Sequence, residues 1–281
     1  MAYPMLESPI GDKFYYDGNI ILKGSSAYEK LLVPTEETTY YETVRIKDDI
    51  LLYLESHLER LQKSVKGIED FPVDAKDLEE RCYGFLHDNY KGTTDANLRI
   101  VLTKKHLLIH ICEANIPAPE LFEKGIDTSM LKWDRVDPNI KVFRGDYKKA
   151  VKDVFDKNGC YEVVLCDHED KLYEGSKSNL FVVKGNKVYT APDDKILLGI
   201  TRKRVMDSLK KSDAELVIGT FTLDELTKDD GYALFVSSTP FDILPIRSVD
   251  GHVFGSAGDP MVRKIMDNYK QAINEYINNR R

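Results

Sequence analysis

The chain has 281 residues, of which 47 are acidic and 40 basic, so its formal charge at neutral pH is −7. An acidic chain without a basic block is a poor match to the phosphate backbone of a nucleic acid, and an anionic membrane surface would repel it. Its 42% apolar and 31% charged residues are typical of a globular protein rather than a disordered one. Domains usually hold about 100–200 residues, which predicts two of them here.

The sequence gives no sign of a membrane span, a signal peptide or a metal site. No apolar run approaches the roughly 20 residues that cross a bilayer. The first residues, MAYPMLESPIGDKF, lack a basic stretch followed by an apolar one. The four cysteines lie far apart, at positions 82, 112, 160 and 166, with no CxxC pair and no Cys/His cluster. We therefore expect no zinc site, and reduced thiols in a cytoplasmic protein.

The first third of the chain is predicted to be rich in strands. Short runs of β-branched and aromatic residues between Gly or Asp turns predict strands at 14–16, 19–22, 39–46 and 50–53. Ser56, followed three residues later by Glu59, has the pattern of a capping box, so Ser56 is the predicted N-cap of a helix. Leu58, Leu61 and Val65 then share one face of that helix.

A second helix and a hairpin complete the predicted first domain. The helix covers 75–90, and apolar strands at 98–102 and 107–111 follow it. Residues 113–120 contain two prolines and no clear periodicity, which predicts the domain boundary there. The predicted organisation is a small N-terminal α/β domain at 1–116, a linker at 117–124 and a larger domain at 125–281.

The second half mixes strands and helices. Strands are predicted at 161–165, 180–183, 187–190 and 232–236, and helices at 147–157, from about 201, from about 223 and at 260–277. Because strands and helices do not alternate strictly, the pattern favours an α+β or irregular α/β fold over a doubly wound sheet.

Three segments have the composition of anion-binding turns. Gly199 precedes a predicted helix with Thr201 in its first turn, so free N–H groups, the helix dipole and a hydroxyl would meet at one place. Residues 173–179 form a turn rich in Gly and Ser with Glu174 at its mouth, and residues 237–240 place three hydroxyls after a strand. Taken singly, each pattern also fits an ordinary N-cap or polar turn.

Three basic side chains extend this set. His57 and Arg60 share a face of the predicted helix, which fits either a specific anion or a solvated surface. Lys141 lies between Ile140 and Val142, which fits either a buried amine suited to Schiff-base chemistry or an exposed lysine on an edge strand. Phosphate cradles, an amine and a carboxylate together are what pyridoxal 5′-phosphate (PLP) requires.

In order and spacing these motifs resemble the class IV aminotransferases, the fold-type IV enzymes that depend on PLP. The resemblance covers residues 40–263 and is most specific in the second half. The matching pieces there are Lys141, Gly159-Cys-Tyr-Glu162, Glu174-Gly-Ser-Lys-Ser-Asn179, Gly199-Ile-Thr-Arg202, Ser238-Thr239 and Pro245-Ile-Arg-Ser-Val-Asp-Gly251. The resemblance implies a two-domain α/β fold with PLP in the cleft between the domains, and a homodimer.

The resemblance also implies a role for individual residues. Lys141 is the Schiff-base lysine, which carries the proton between the substrate Cα and the cofactor. Glu174 pairs with the pyridine nitrogen of PLP. The other implied cofactor-binding residues are Arg60, Ser178, Asn179, Gly199, Ile200, Thr201, Ser238 and Thr239. Tyr41 and Arg45 match the substrate side.

Three stretches depart from the family pattern. Residues 35–40 replace the Gly-Asp-Gly turn that usually precedes the strand of Tyr41. Lys104-Lys105-His106 stands where D-amino-acid aminotransferases have an Arg-x-His carboxylate trap, which argues against a D-amino-acid substrate. Residues 142–147 match neither the Gly-Asn-Tyr element of branched-chain enzymes nor the Asn-Arg pair of lyases. Arg144 and Tyr147 either enter the site or begin the helix.

The expected function is therefore PLP-dependent transfer of an amino group between a small amino acid, branched-chain-like or another, and a 2-oxo acid. The alternatives are a PLP lyase of the aminodeoxychorismate type, a D-amino-acid aminotransferase and a PLP-binding homologue of low activity. The expected partners are these small molecules and a second copy of the chain, with no nucleic acid, membrane or metal.

Overall fold

The computed structural model describes residues 3–66 and 74–281, and the chain divides into two structural units. The first unit holds the described residues up to Asn115 together with Ile140–Asp146 and Arg280. The second unit holds Ile116–Asn139, Tyr147–Asn279 and Arg281. The segment around Lys141 therefore belongs to the first unit, although residues of the second unit flank it on both sides.

The first unit is built on an antiparallel sheet of six strands. They are β1 (Lys13–Tyr16), β2 (Asn19–Leu22), β3 (Tyr40–Lys47), β4 (Ile50–Leu51), β5 (Ala96–Leu102) and β6 (Leu107–Glu113). Their order across the sheet is β2-β1-β6-β5-β3-β4. The strands predicted for this part of the chain are all present, and β5 and β6 form the predicted hairpin.

The two faces of this sheet are covered by different parts of the chain. The helices of the unit are α1 (Ser26–Leu31), α2 (Leu54–Val65) and α3 (Ala75–Asn89). On one face, Val44 and Ile46 of β3 pack in a core with Leu58 and Leu61 of α2, as the helical spacing predicts. On the other face, Met5 and Leu6 join a separate cluster that includes residues of α1 and β6.

The predicted capping box at Ser56 is wrong. Helix α2 already begins at Leu54, with Tyr53 as its N-cap in the left-handed region at φ 56° and with no side-chain cap. The backbone N–H of His57 donates to the Tyr53 carbonyl, so Ser56 lies inside the first turn, where it is buried. Strand β4 is correspondingly shorter than predicted, because the chain turns into the helix directly after Leu51.

The second unit is built on a mixed sheet of ten strands. They are β7 (Ile126–Lys132), β8 (Glu162–Cys166), β9 (Lys171–Gly175), β10 (Asn179–Lys184), β11 (Lys187–Thr190), β12 (Glu215–Ile218), β13 (Phe221–Thr222), β14 (Tyr232–Ser238), β15 (Asp242–Val249) and β16 (His252–Val253). A contact between Asn179 of β10 and Glu174 of β9 closes β10, β14, β15, β7, β8 and β9 into a ring of strands. Glu174 and Asn179 therefore meet where this ring closes.

Five helices accompany this sheet. They are α4 (Pro119–Lys124), α5 (Gly145–Asn158), α6 (Ile200–Leu209), α7 (Leu223–Thr227) and α8 (Pro260–Asn278). The predicted helices near 147, 201, 223 and 260 are confirmed. The predicted linker, residues 117–124, contains α4, which has Pro119 in its first turn.

Candidate functional site

In the first unit, Lys141 is held on a short extended segment beside β3. The backbone N–H of Tyr41 donates to the carbonyl of Lys141 at 3.2 Å, and that of Phe143 donates to the carbonyl of Thr39 at 3.1 Å. These bonds fix the backbone from the Lys141 carbonyl to Phe143 against β3. The half-buried amine, Nζ, lies 4.7 Å from the centre of the Tyr41 ring. A cation at this distance from an aromatic ring is attracted to its π face.

Aromatic rings form the wall next to this amine. The rings of Tyr41 and Phe143 are stacked, with centroids 4.1 Å apart and planes within 4° of each other. The ring of Tyr3 stacks on Phe143 at 4.8 Å. The structure therefore brings Tyr41 and Lys141 together, and adds Phe143 and Tyr3, which the sequence did not single out.

Arg60 and His57 meet on a third residue, Glu42, that the sequence did not single out. The guanidinium of Arg60 donates to both carboxylate oxygens of Glu42, from Nε at 2.8 Å and from Nη2 at 2.6 Å. His57 Nδ1 lies 2.7 Å from Glu42 Oε2. We refer to these three residues as the Glu42 triad. One feature of the sequence indicates that Glu42 is buried: alternate residues of β3 face α2, and Glu42 is one of them.

The Glu42 triad is a buried charge pair with a neutral donor. Burial favours the neutral acid, but Arg60 and His57 outweigh it and lower the pKa of Glu42 to about 2. Burial also lowers the pKa of His57, against the pull of Glu42. An ionised carboxylate can only accept, so a neutral His57 must carry its proton on Nδ1. Both partners thus hold Glu42, and Glu42 fixes the orientation of the Arg60 guanidinium.

Arg45 and the β5–β6 turn lie on other parts of this sheet. Arg45 is buried on β3, four residues after Tyr41 and on the same face of the strand. Its Nη2 lies 3.8 Å from Oδ1 of Asp95. The turn between β5 and β6 has only four residues, 103–106. Its His106 contacts Asp17 at 2.7 Å and the Tyr16 hydroxyl at 2.9 Å. The His106 side chain is thus engaged with β1 and the turn that follows it.

In the second unit, Glu174 is a buried carboxylate at the end of β9, 2% exposed. Arg135 Nη1 lies 3.0 Å from Oε1, and the backbone N–H of Leu197 donates to Oε2 at 3.1 Å. A guanidinium and a backbone N–H both favour the ionised form of a carboxyl group. Arg135 in turn lies over the ring of Tyr147, at 5.5 Å. Arg135 was missed, because a single arginine in a loop carries no periodic signal.

The turn before α6 requires glycine at 199. A Cβ atom placed on Gly199 would lie 2.0 Å from Oδ1 of Asn179, a distance no side chain tolerates. Asn179 holds the same turn by donating to the Leu197 carbonyl at 2.9 Å. No side chain caps the start of α6 at Gly199. Its first N–H groups, at Ile200 and the buried Thr201, together with the dipole of a ten-residue helix, fit an anionic group such as a phosphate.

The remaining predicted residues hold turns. Ser178 donates from its hydroxyl to Glu162 at 3.0 Å, and Ser238 donates to the carbonyl of Lys177 at 2.6 Å. Thr239 lies half-buried in the turn between β14 and β15. Tyr147, which the sequence left open, is buried in α5 and donates to the carbonyl of Ser176 at 2.8 Å. The turn at 176–178 between β9 and β10 is therefore held by hydrogen bonds from or to Tyr147, Ser178 and Ser238.

Over residues 3–66 and 74–281, no helix combines the length and apolar character needed to cross a membrane. In the same ranges, no three His, Cys, Asp or Glu side chains are grouped so that they could hold a metal ion. All four cysteines are free thiols, and Cys82, Cys112 and Cys166 are buried.

Comparison with known proteins connects these features to one family. Residues 39–249 match the family model described as amino-transferase class IV. The chain is 27% identical over 250 residues to D-alanine aminotransferase of Bacillus licheniformis, covering 83% of this chain and 87% of that protein. It is 26% identical over 260 residues to the branched-chain-amino-acid aminotransferase of Escherichia coli K12, covering 81% and 82%.

Solved structures agree on the fold. The branched-chain aminotransferase from the archaeon Thermoproteus uzoniensis, solved with norvaline, superposes with a TM-score of 0.77, at 23% identity, over 93% of this chain and 94% of that one. The branched-chain amino acid aminotransferase from Escherichia coli gives 0.77 at 24% identity, over 91% and 92%. A further branched-chain enzyme, solved with pyridoxamine 5′-phosphate, gives 0.81 at 21% identity, over 94% and 95%. The predicted fold class, a two-domain fold-type IV architecture, is thereby confirmed.

Proposed function

We propose, from the premise that this chain belongs to the class IV aminotransferase family, that it transfers an amino group between a small amino acid, branched-chain-like or another, and a 2-oxo acid. Class IV aminotransferases use PLP as their cofactor. The observation that carries the proposal is the fixed position of Lys141, whose amine lies over the ring of Tyr41. A primary amine held in this way is the group that PLP chemistry needs.

Lys141 is the proposed catalytic residue. Bound PLP would draw electrons from the Cα of the amino acid, which makes its Cα proton removable. Lys141 would take this proton and return it at the end of the transfer, as a general base and then a general acid. The Lys141 amine lies over the ring of Tyr41, which in turn stacks on Phe143. These two rings would present an apolar wall to the substrate side chain.

Glu174 is proposed to accept a hydrogen bond from the pyridine nitrogen. Its carboxylate is buried, and Arg135 and the Leu197 N–H favour its ionised form. A buried carboxylate that stays ionised keeps a nearby ring nitrogen protonated, because the pair then gains a charge-assisted hydrogen bond. Arg135 is therefore a positioning residue for Glu174 in this proposal.

The start of α6 is the proposed binding site for the phosphate of PLP, and the family resemblance also implies Arg60 in phosphate binding. The start of α6 has no side-chain cap, and the first N–H groups of the helix, at Ile200 and Thr201, would donate to the phosphate. Arg60 would add a positive charge in an orientation that Glu42 fixes. Thr239 would add a hydroxyl. Ser178, Asn179 and Ser238 would act indirectly, since their hydrogen bonds hold the turns themselves.

We favour a branched-chain-like substrate over a D-amino acid. The counterpart of the Arg-x-His trap, Lys104-Lys105-His106, lies in a four-residue turn and lacks the arginine. Its His106 contacts Asp17 and Tyr16. A carboxylate trap of the D-amino-acid type therefore has no equivalent in this turn. The uncharged wall of Tyr41 and Phe143 suits an apolar side chain.

The test is an absorption spectrum of the purified protein with PLP, before and after addition of single L- and D-amino acids. We expect a visible band that one stereochemical class bleaches. We expect Lys141→Ala to lower the rate of amino transfer by at least about 100-fold, while Lys149→Ala, which removes an exposed lysine paired with Asp153, leaves it unchanged. Full activity of Lys141→Ala would refute the lysine assignment. Release of pyruvate from aminodeoxychorismate without an amino acceptor would instead identify a lyase.

We also propose a cytoplasmic homodimer. The family resemblance supports the dimer, and the free cysteines are consistent with a reducing compartment. Light scattering on the purified protein tests for the dimer, which has twice the 32.2 kDa mass of the chain.

A further inference from the structure

The residues before the family match form an ordered segment on the substrate-side face of the first sheet. The N–H of Tyr3 donates to the carbonyl of Thr35 at 3.2 Å, and that of Leu6 donates to the carbonyl of Leu31 at 3.1 Å. Met5 and Leu6 are buried. The family model begins only at residue 39, so this N-terminal segment is a feature of the chain outside the matched part.

The N-terminal segment places a carboxylate on an arginine of the sheet. Nη1 of Arg99, on β5, donates to Oε2 of Glu7 at 2.6 Å. The hydroxyl of Tyr3 donates to the other oxygen of Glu7. Burial and the adjacent Glu7 raise the pKa of Tyr3, so its hydroxyl stays protonated as a donor. Each oxygen of Glu7 thus has at least one donor.

The arginine held by Glu7 is a neighbour of the proposed reactive amine. The guanidinium of Arg99 lies 5.8 Å from the centre of the Tyr41 ring, and Lys141 lies 4.7 Å from the same centre. Tyr3 completes the arrangement by stacking on Phe143, which stacks on Tyr41. The aromatic wall beside Lys141 is thus flanked by a positive charge that the N-terminal segment neutralises.

The pairing of Arg99 with Glu7 affects which substrate side chains can bind beside Tyr41. An unneutralised guanidinium is the best protein donor for a carboxylate, because it offers a planar fork of N–H groups. The Nε of Arg99 is buried and has no hydrogen-bond partner within the described residues, so Glu7 satisfies only part of this guanidinium. With Glu7 in place, the charge of Arg99 is already neutralised, and Glu7 would repel the side-chain carboxylate of a substrate.

We propose that Glu7 is a specificity residue, which cancels the charge of Arg99 beside Tyr41 and so makes the enzyme prefer substrates with uncharged side chains over those with a side-chain carboxylate. The proposal rests on the proposed function, because it takes Tyr41 as the wall of the substrate site. Tyr3 is the positioning residue for Glu7, since it donates to one carboxylate oxygen while Arg99 donates to the other.

The decisive variant is Glu7→Gln, which removes the charge and keeps the shape. We expect the ratio of kcat/KM for glutamate to that for leucine to rise about 10-fold or more, the usual worth of a hydrogen bond to a charged group. The gain should shrink at high salt and disappear in the double variant Glu7→Gln/Arg99→Gln. The control Glu29→Gln removes one exposed negative charge from the same unit and should leave the ratio unchanged.

A binding measurement separates this proposal from the proposed function. Glutarate, a dicarboxylate without an amino group, should bind the PLP-loaded Glu7→Gln protein about 10-fold more tightly than the wild type by calorimetry. This holds even if no amino transfer is detected with any donor, a result that would defeat the proposed function alone. Equal glutarate affinity in a folded Glu7→Gln protein, checked also with Glu7→Ala, would overturn the role of Glu7.

Discussion

Two glutamate–arginine pairs lie on opposite faces of the first sheet, and their surroundings differ. Glu42 and Arg60 have side chains that are 1% and 11% exposed, and the arginine makes two hydrogen bonds to the carboxylate. Glu7 and Arg99 are 28% and 15% exposed, and one nitrogen makes the contact. A carboxylate and a guanidinium thus form a buried pair with two hydrogen bonds on one face, and a partly exposed pair with one hydrogen bond on the other.

The difference separates a structural ion pair from an exchangeable one. A buried pair cannot lose one partner without leaving a charge in a medium that solvates it poorly. A pair with access to water can exchange its carboxylate for another one, because water and the incoming anion compensate the charge during the exchange. Glu42 therefore holds Arg60 in a fixed position. Glu7, in contrast, pairs with Arg99, and a bound carboxylate could share the charge of that guanidinium.

The largest effect is expected from Glu42→Gln. Removal of the charge leaves Arg60 without its counter-ion, and we expect the free energy of unfolding to fall by about 3 kcal/mol, the lower end for a broken buried pair because Arg60 keeps some exposure. Urea unfolding followed by circular dichroism measures it. Glu59→Gln, which breaks an exposed pair with Lys63 on the same helix, is the control and should cost under about 1 kcal/mol. A loss of that small size for Glu42→Gln would contradict the distinction.

The next prediction concerns acid. The pKa of Glu42 is lowered to about 2 from its ordinary value of 4.5. Because the unfolded chain takes up this proton first, the stabilisation is fully present above pH 4.5 and is lost as the pH falls towards 2. The stability difference between wild type and Glu42→Gln should therefore be constant from about pH 7 to pH 5 and shrink below about pH 4.5. Urea midpoints of both proteins at several pH values measure it, and a difference that grows in acid would be the opposite result.

The smallest effect on stability is expected from Glu7→Gln. Its pair with Arg99 is partly exposed, so the free energy of unfolding should change by less than about 1 kcal/mol. The same substitution is expected to change the preference for glutamate over leucine. Loss of the Glu7 charge should therefore affect specificity, whereas loss of the Glu42 charge should affect stability. A thermal unfolding series with wild type, Glu7→Gln and Glu42→Gln compares them directly. Equal losses for the two variants would remove the contrast between the faces.

The fold was predictable wherever residues are periodic, and the site only in part. Alternating or continuous apolar residues identified β5, β6, β8 and β10, and the spacing of Leu58 and Leu61 identified α2. Strand β9 was missed because it is buried on both faces and contains Glu174 and Gly175, which are poor strand formers. The start of α2 was misplaced because backbone geometry at Tyr53, rather than a capping side chain, begins the helix.

The partners of the site residues needed the three-dimensional structure. Lys141, Glu174, Arg60 and the turn at Gly199 could be named from motifs in the sequence. Glu42 and Arg135, the partners of Arg60 and Glu174, could not be named from motifs, and neither could Glu7, the partner of Arg99. Each lies between 18 and 92 residues from the residue it pairs with, in a part of the chain without a motif. The interactions that orient a motif are long-range, whereas the motif itself is local.

The segment that carries Lys141 also determines how this protein can be dissected. Ile140–Asp146 belongs to the first unit but is joined at both ends to the second, so the chain passes between units three times before it reaches Asn279. No single cut separates the units: a fragment ending at Asn115 would lack Phe143, and its Tyr41 ring would have no stacking partner there. During synthesis the wall beside the reactive lysine can form only after residue 143 has been made, so the nascent first unit stays unfinished while translation of the second is already under way.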